Sequence, residues 1–214
     1  MSQVLRDQLR LHTRAQHERI EAALDIPGSI RNHMDYVSLL AAFHAFYVPF
    51  ETALVLHEAA LSDVGVELAA RRKAHWVRED LQSLGVSGEA IDKLALCSSP
   101  ALPTWRHALG SLYVVEGSTL GGQVIARQLA RHLNLQPHLH LRFFSAYGAR
   151  TATMWRSFVT SLNDLNLAAE ETADVLQGAA ETFETLERWL TGSLNVTCGR
   201  STRERCDPPS TSRT

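Results

Sequence analysis

Apolar residues in this chain recur at intervals of three and four, and no stretch alternates convincingly between apolar and polar. The first period belongs to a helix that buries one stripe; alternation would belong to a half-buried strand. No internal repeat points to a solenoid. The expected fold is therefore all-α, a single compact domain of seven to eight helices. A length of 214 residues suits one domain with a core of its own. Residues 3–24 predict an amphipathic helix ended by the run DIPGS, and residues 34–62 a long helix kinked at Pro49. A helix over about 66–84 closes on Gly85, and Ser87 caps a short one. Loops follow at CSSPALP and NLQPHLHLR, with a helix from about 104 to 133 between them. Two more helices are predicted over 146–163 and 169–191. Residues 1–192 hold the domain. Residues 193–214, ending in GRSTRERCDPPSTSRT, are expected to form a disordered tail, since so few apolar groups are there to bury.

Composition narrows the function classes. The net charge of −2 gives no reason to expect a nucleic acid or an anionic membrane as partner. No apolar run approaches the roughly 18 residues that span a bilayer. The N-terminal residues are too charged for a signal-peptide core, which points to the cytoplasm. Cys97, Cys198 and Cys206 are odd in number and lack C-x-x-C spacing, against a disulfide framework or a thiolate zinc site. Ten histidines raise the question of a metal or a heme. No Glu-x-x-His occurs, as a di-iron bundle would require.

The run LYVVEGSTLGGQVIARQLARHL carries Gly117, Gly121 and Gly122 through the middle of a predicted helix. Each costs roughly 1 kcal/mol against alanine there. A phosphate-binding loop is one reading, but neither Lys-Ser/Thr nor G-x-G-x-x-G follows. Close packing of two helices is the second reading, because Gly117 and Gly121 share a face. The third is a flat ligand lying against bare backbone.

The N-terminal helix holds LRLHTRAQHERIE. His12 and His17 are five apart and do not form an i,i+4 metal pair. His17 falls on the stripe of Leu9, Thr13, Ile20 and Leu24, where a hydrogen-bonded core histidine and an axial heme ligand are both open readings. Arg10 and Arg14 lie near the same side. They read as solvated surface charge or as partners for ligand carboxylates.

Together, LRLHTRAQHERIEAAL and LYVVEGSTLGGQVI resemble the heme oxygenase family, most closely its short bacterial members. YVSLLAAFHAFYVPFE resembles the kinked second helix of that family, and the likeness covers residues of about 5–190. The resemblance implies a fold in which heme b lies between the first helix and a kinked, glycine-rich distal helix. Heme is then both substrate and cofactor. By motif position His17 is the iron ligand, and Gly117, Gly121 and Gly122 touch the heme from the distal side. O2 attacks a meso carbon of the ring, which opens to biliverdin with release of CO and ferrous iron. Electrons come from an external reductase or ferredoxin. A phytochrome-type biliverdin acceptor is an implied partner. Arg10, Arg14 and Arg156 match basic positions that meet propionates, Phe183 matches a wall aromatic, and Tyr113 lies near a family tyrosine. The first distal helix turn departs from many relatives. It offers Ser118 where they carry an aspartate that organises water, and a serine can hold water but carries no charge. Gly117, Ser118 and Gly121 are the expected catalytic surface. Glu116, about 100° round the helix from Gly117, is given no role. A heme carrier or sensor without catalysis would use the same pocket.

Overall fold

The computed structural model describes residues 4–200, with side chains described through residue 194. Its helices are α1 (Leu5–His12), α2 (Arg14–Leu24), α3 (His33–Val55), α4 (Glu58–Asp63), α5 (Ala74–Ser83), α6 (Gly88–Asp92), α7 (Trp105–His132), α8 (Pro137–His140), α9 (Arg142–Ser145), α10 (Thr151–Asn163) and α11 (Ala169–Arg200). Single 3-10 turns occupy Leu68–Arg71 and Gly148–Arg150. No strand occurs among the described residues, as the periodicity requires. The expected tail begins at residue 193, yet α11 continues to Arg200; residues 201–214 and the side chains of 195–200 lie outside the described residues.

Several predicted helices are divided. The first breaks at Thr13, whose hydroxyl donates to the Leu9 carbonyl at 2.8 Å, a back-bond that bends helices. The second ends at Val55. Pro49 lies inside it and frees the carbonyl four residues back; the Cys97 amide fills that acceptor, 2.9 Å from the Ala45 oxygen. The span predicted as 66–84 is split before α5, because the Glu51 carboxylate takes the Lys73 and Ala74 amides at 2.5 and 3.0 Å and so caps the new helix. Gly85 does close α5 in a left-handed conformation (φ +89°), and Ser87 accepts from the Ala90 amide. The predicted loop over 134–142 instead holds α8 and the start of α9.

By length and hydropathy α3 could cross a membrane, but Tyr36, Leu39, Leu40, Phe46, Phe50 and Leu54 are buried in the core. The centre of the fold is the crossing of α7 and α11. A Cβ on Gly110 would overlap the Val175 carbonyl oxygen, and one on Gly178 would overlap that of His107. Each helix is bare where the other touches it. Ser111 donates to both His107 and Gly178, at 2.9 and 3.2 Å, so the seam leaves its hydroxyl satisfied. The Trp189 indole ties α11 to α3 through the Ala42 carbonyl at 2.9 Å.

Asp80 anchors the short α9. Its fully buried carboxylate accepts the Arg142 and Phe143 amides at 3.0 and 2.9 Å, two otherwise unpartnered donors at a helix start. Burial pushes this carboxyl up to about 6, although the two amides and the Arg142 charge pull the other way. The native state therefore favours the protonated form. Its contribution to stability is full below the ordinary value of 3.8 and is lost as pH rises through about 6.

Two outcomes follow from these contacts. Gly110→Ala or Gly178→Ala should destabilise by about 1–3 kcal/mol, because a backbone atom must move; urea denaturation of each variant measures it. Urea titrations across pH should show the wild type losing stability relative to Asp80→Asn between pH 4 and pH 7, by up to about 3 kcal/mol. A flat difference across that range would show that Asp80 is ionised throughout.

Candidate functional site

A cavity of about 680 Å³ opens between α1 and α2 on one side and α7 on the other. The volume is typical of a cofactor or substrate pocket, for which about 300–1,000 Å³ is usual. Phe43 and Tyr47 of α3, Phe143 and Phe144 of α9, Trp155 of α10 and Phe183 of α11 complete its walls. The aromatic side chains pack on one another. Phe43 and Phe143 have ring centroids 4.8 Å apart, and the Tyr113 ring lies 5.7 Å from Trp155. The result is a largely apolar slot, with Thr13, Tyr47, Lys73, Ser118 and Thr119 among its polar lining.

His17 stands on the α2 side of the slot. Its stripe neighbours Leu9, Thr13 and Leu24 are buried, and Ile20 packs against the core. The His17 side chain is nevertheless 55% exposed, because the cavity opens in front of it. This decides against a satisfied core histidine. Nδ1 lies 3.3 Å from a Glu21 carboxylate oxygen, which leaves Nε2 as the nitrogen available to a ligand. A carboxylate on the far nitrogen is the usual second partner of a metal-ligating imidazole. The Phe183 ring meets the imidazole edge-on at 5.8 Å. Arg10 and Arg14 also line the cavity, at its exposed margin. Arg14 is engaged by Glu18 at 2.7 Å, and that hydrogen bond raises its pKa further.

The three glycines of the opposing helix divide into two kinds. A Cβ on Gly122 would come within 2.7 Å of the Phe144 carbonyl oxygen, so this glycine is required by the packing of α7 on α9. Gly117 is different: a Cβ there would touch only the Trp155 ring, at an ordinary 3.6 Å. At Gly121 a Cβ would meet nothing within 4 Å. Among the described residues no close neighbour explains the last two, and both line the cavity. They form a cradle that an added methyl would fill.

Arg156 is the sequence-predicted residue that stays outside. It is exposed on α10, reaches the Thr153 hydroxyl at 3.3 Å and does not line the cavity. The neighbouring residue, Trp155, is the one whose helical phase turns it inward. Ser118 lines the cavity and donates to the Val115 carbonyl at 3.0 Å. Burial holds the Tyr47 hydroxyl well above the usual phenol range.

Sequence reasoning missed the groups behind the distal wall. Glu116 turns away from the cavity, as its helical phase predicts, but into a buried cluster rather than solvent. Its carboxylate pairs with Arg71 at 2.5 Å and with Lys73, and takes a hydrogen bond from the Tyr147 hydroxyl at 2.8 Å. Lys73 also lines the cavity. In sequence, Arg71-Arg72-Lys73 reads as a solvated charge run, and only the middle residue is exposed. Tyr47 was within reach of sequence analysis, since it lies inside the quoted α3 segment. Among the described residues, no three His, Cys, Asp or Glu side chains gather as a metal site.

Comparison with known proteins gives the same direction. The family model for heme oxygenase matches residues 3–192. A heme oxygenase of Xanthomonas campestris pv. campestris is 32% identical over 157 residues, covering 72% of this chain and 88% of that protein. Heme oxygenase PigA of Pseudomonas aeruginosa is 29% identical over 182 residues, covering 85% and 89%. Two solved structures share the fold. The heme oxygenase of Neisseria meningitidis superposes with a TM-score of 0.73 at 24% identity, over 91% of this chain and 94% of that one. Heme oxygenase-1 of Synechocystis sp. PCC6803, solved in complex with heme, gives 0.68 at 16% identity, over 94% and 98%. With the profile spanning nearly all the described helices, the chain belongs to the heme oxygenase family.

Proposed function

We propose that the chain opens heme to biliverdin in the cavity between α2 and α7, with His17 as the axial ligand. The observation that carries this reading is the cradle. Gly117 and Gly121 spend helix stability where no described residue needs them bare, in the same cavity as a partly exposed imidazole on α2. A planar macrocycle accounts for both features at once: it lies against backbone on one face and accepts a nitrogen ligand on the other.

Each residue then has a chemical task. His17 offers Nε2 while Glu21 holds Nδ1, which keeps the ring oriented. The aromatic walls exclude water from the ring faces. Arg10 and Arg14 sit at the open margin, where carboxylate substituents of the macrocycle would remain solvated and be paired by charge. Bound heme supplies the iron at which O2 is taken up, and the ring itself is consumed, with CO and ferrous iron as the other products. Ser118 and Tyr47 are the hydroxyls available to hold water beside the glycine cradle. Arg156 is exposed on α10 and does not line the cavity, so it is given no part in this arrangement. Residues 1–192 make up the working domain. Electrons come from an external reductase or ferredoxin, a phytochrome-type protein is a suitable acceptor for the product, and the cytoplasm is the compartment.

Three measurements test the reading. Heme added to the protein with a reductant under O2 should lose its Soret band and yield biliverdin; a stable ferrous–oxygen complex would instead identify a carrier or sensor. His17→Ala should remove the histidine-ligated heme spectrum, and added imidazole should restore it; an unchanged spectrum would place the ligand elsewhere. Gly121→Ala should stabilise the ligand-free protein by up to about 1 kcal/mol in urea denaturation while weakening heme affinity. Loss of ligand-free stability would show that the glycine serves packing.

A further inference from the structure

The distal helix lacks a carboxylate facing the cavity, yet a group of four buried polar side chains lies against that wall. Glu116 is 1% exposed, Lys73 2% and Arg71 5%. Burying ions costs several kcal/mol each unless they are paired, so a cluster this dry must largely satisfy itself. It does so at every side-chain atom but Arg71 Nε, which has no hydrogen-bond partner among the described residues. The two Glu116 oxygens serve Arg71 on one side, and Lys73 and Tyr147 on the other. Lys73 has three donors. They go to Glu116, to the Arg71 carbonyl at 3.0 Å and to the Tyr147 hydroxyl at 3.3 Å. Glu51 is the remaining charge nearby, taking the Lys73 backbone amide.

Among the described residues, Lys73 is also the one cationic side chain that lines the cavity from the α7 side; Arg10, Arg14 and His17 all come from α1 and α2. With its donors used, it has no proton to lend to a ligand. What the cluster presents to the cavity is its excess charge, two cations, Arg71 and Lys73, against the single carboxylate of Glu116. In an apolar slot that charge is weakly screened, so it acts over more than one contact distance.

We infer that Lys73, locked in place by Glu116, is a fixed positive charge of the distal wall that favours anionic over neutral ligands on bound heme. This device sits where Ser118 supplies no charge of its own. It stabilises negative charge as it develops on oxygen, in the manner of other preorganised sites, while Ser118 and Tyr47 supply the hydrogen bonds. The inference rests on heme occupying the cavity.

The test compares an anionic with a neutral ligand. Ferric heme complexes of the wild type, Lys73→Gln, Glu116→Gln and Lys73→Arg are titrated with sodium azide and with imidazole, read from the Soret shift. Lys73→Gln should weaken azide by about tenfold, and Glu116→Gln, which removes a negative charge from the same cluster, should tighten it. Lys73→Arg should keep the wild-type affinity, and none of the three should change the affinity for imidazole. Opposite signs at two adjacent residues cannot arise from a loosened scaffold. Azide and imidazole affinities that move together, or azide affinities that fall in both glutamine variants, would overturn the inference. A variant that fails to fold leaves the other two to decide, since each carries its own predicted direction. A wild-type protein that binds no heme would remove the proposed function itself, whereas a normal heme complex indifferent to these substitutions would remove only the role of Lys73.

Discussion

The close approach of α7 and α11 is the constraint on which the rest of the molecule depends. Gly110 and Gly178 let each backbone sit directly on the other, and nothing larger fits at either point. That contact sets the depth at which α7 runs through the domain. Farther along the same helix, Gly122 is pressed by the Phe144 carbonyl, which holds α7 from the side of α9. Between these supports, the face of Gly117 and Gly121 meets only the Trp155 ring among the described residues. The open cradle lies between two points at which α7 is held tightly.

The same helix separates two environments. One face looks into an apolar slot, and the other carries Glu116 into a dry ionic cluster. Such clusters rarely add net stability, because desolvation offsets most of the attraction. Their strength lies in fixing geometry. The cluster joins the turn at Arg71, the entry to α5 at Lys73, the centre of α7 and Tyr147 beyond α9. Removing one member would leave an uncompensated charge in the interior, so these segments keep one arrangement relative to the cavity wall. Asp80 plays a smaller version of this part for α9, where Phe143 and Phe144 must face the slot.

How far the site could be read from residues alone varies with the kind of residue. His17, Gly117 and Gly121 were legible because each breaks a local rule: an ionisable side chain on an apolar stripe, and glycines inside a helix. Phe183 and Tyr113 were carried by resemblance, and both line the cavity. Arg156 was carried in the same way and does not, since a shift of one residue turns a helical side chain by about 100°. Lys73 and Glu116 broke no local rule. Charged residues next to other charged residues look solvated until a distant segment covers them.

The sequence by itself determined the all-α class, the positions of the main helices and the exceptional character of His17 and the glycine run. These follow from periodicity and from backbone preferences, which act over a few residues. Tertiary structure alone decided which glycines meet protein and which meet open space, whether His17 is buried or presented, and where the charges of Arg71, Lys73 and Glu116 come together. Those outcomes depend on contacts between segments 20 or more residues apart, such as Gly122 with Phe144 and Arg71 with Glu116. No local pattern encodes the neighbour that a side chain meets only after the helices have packed.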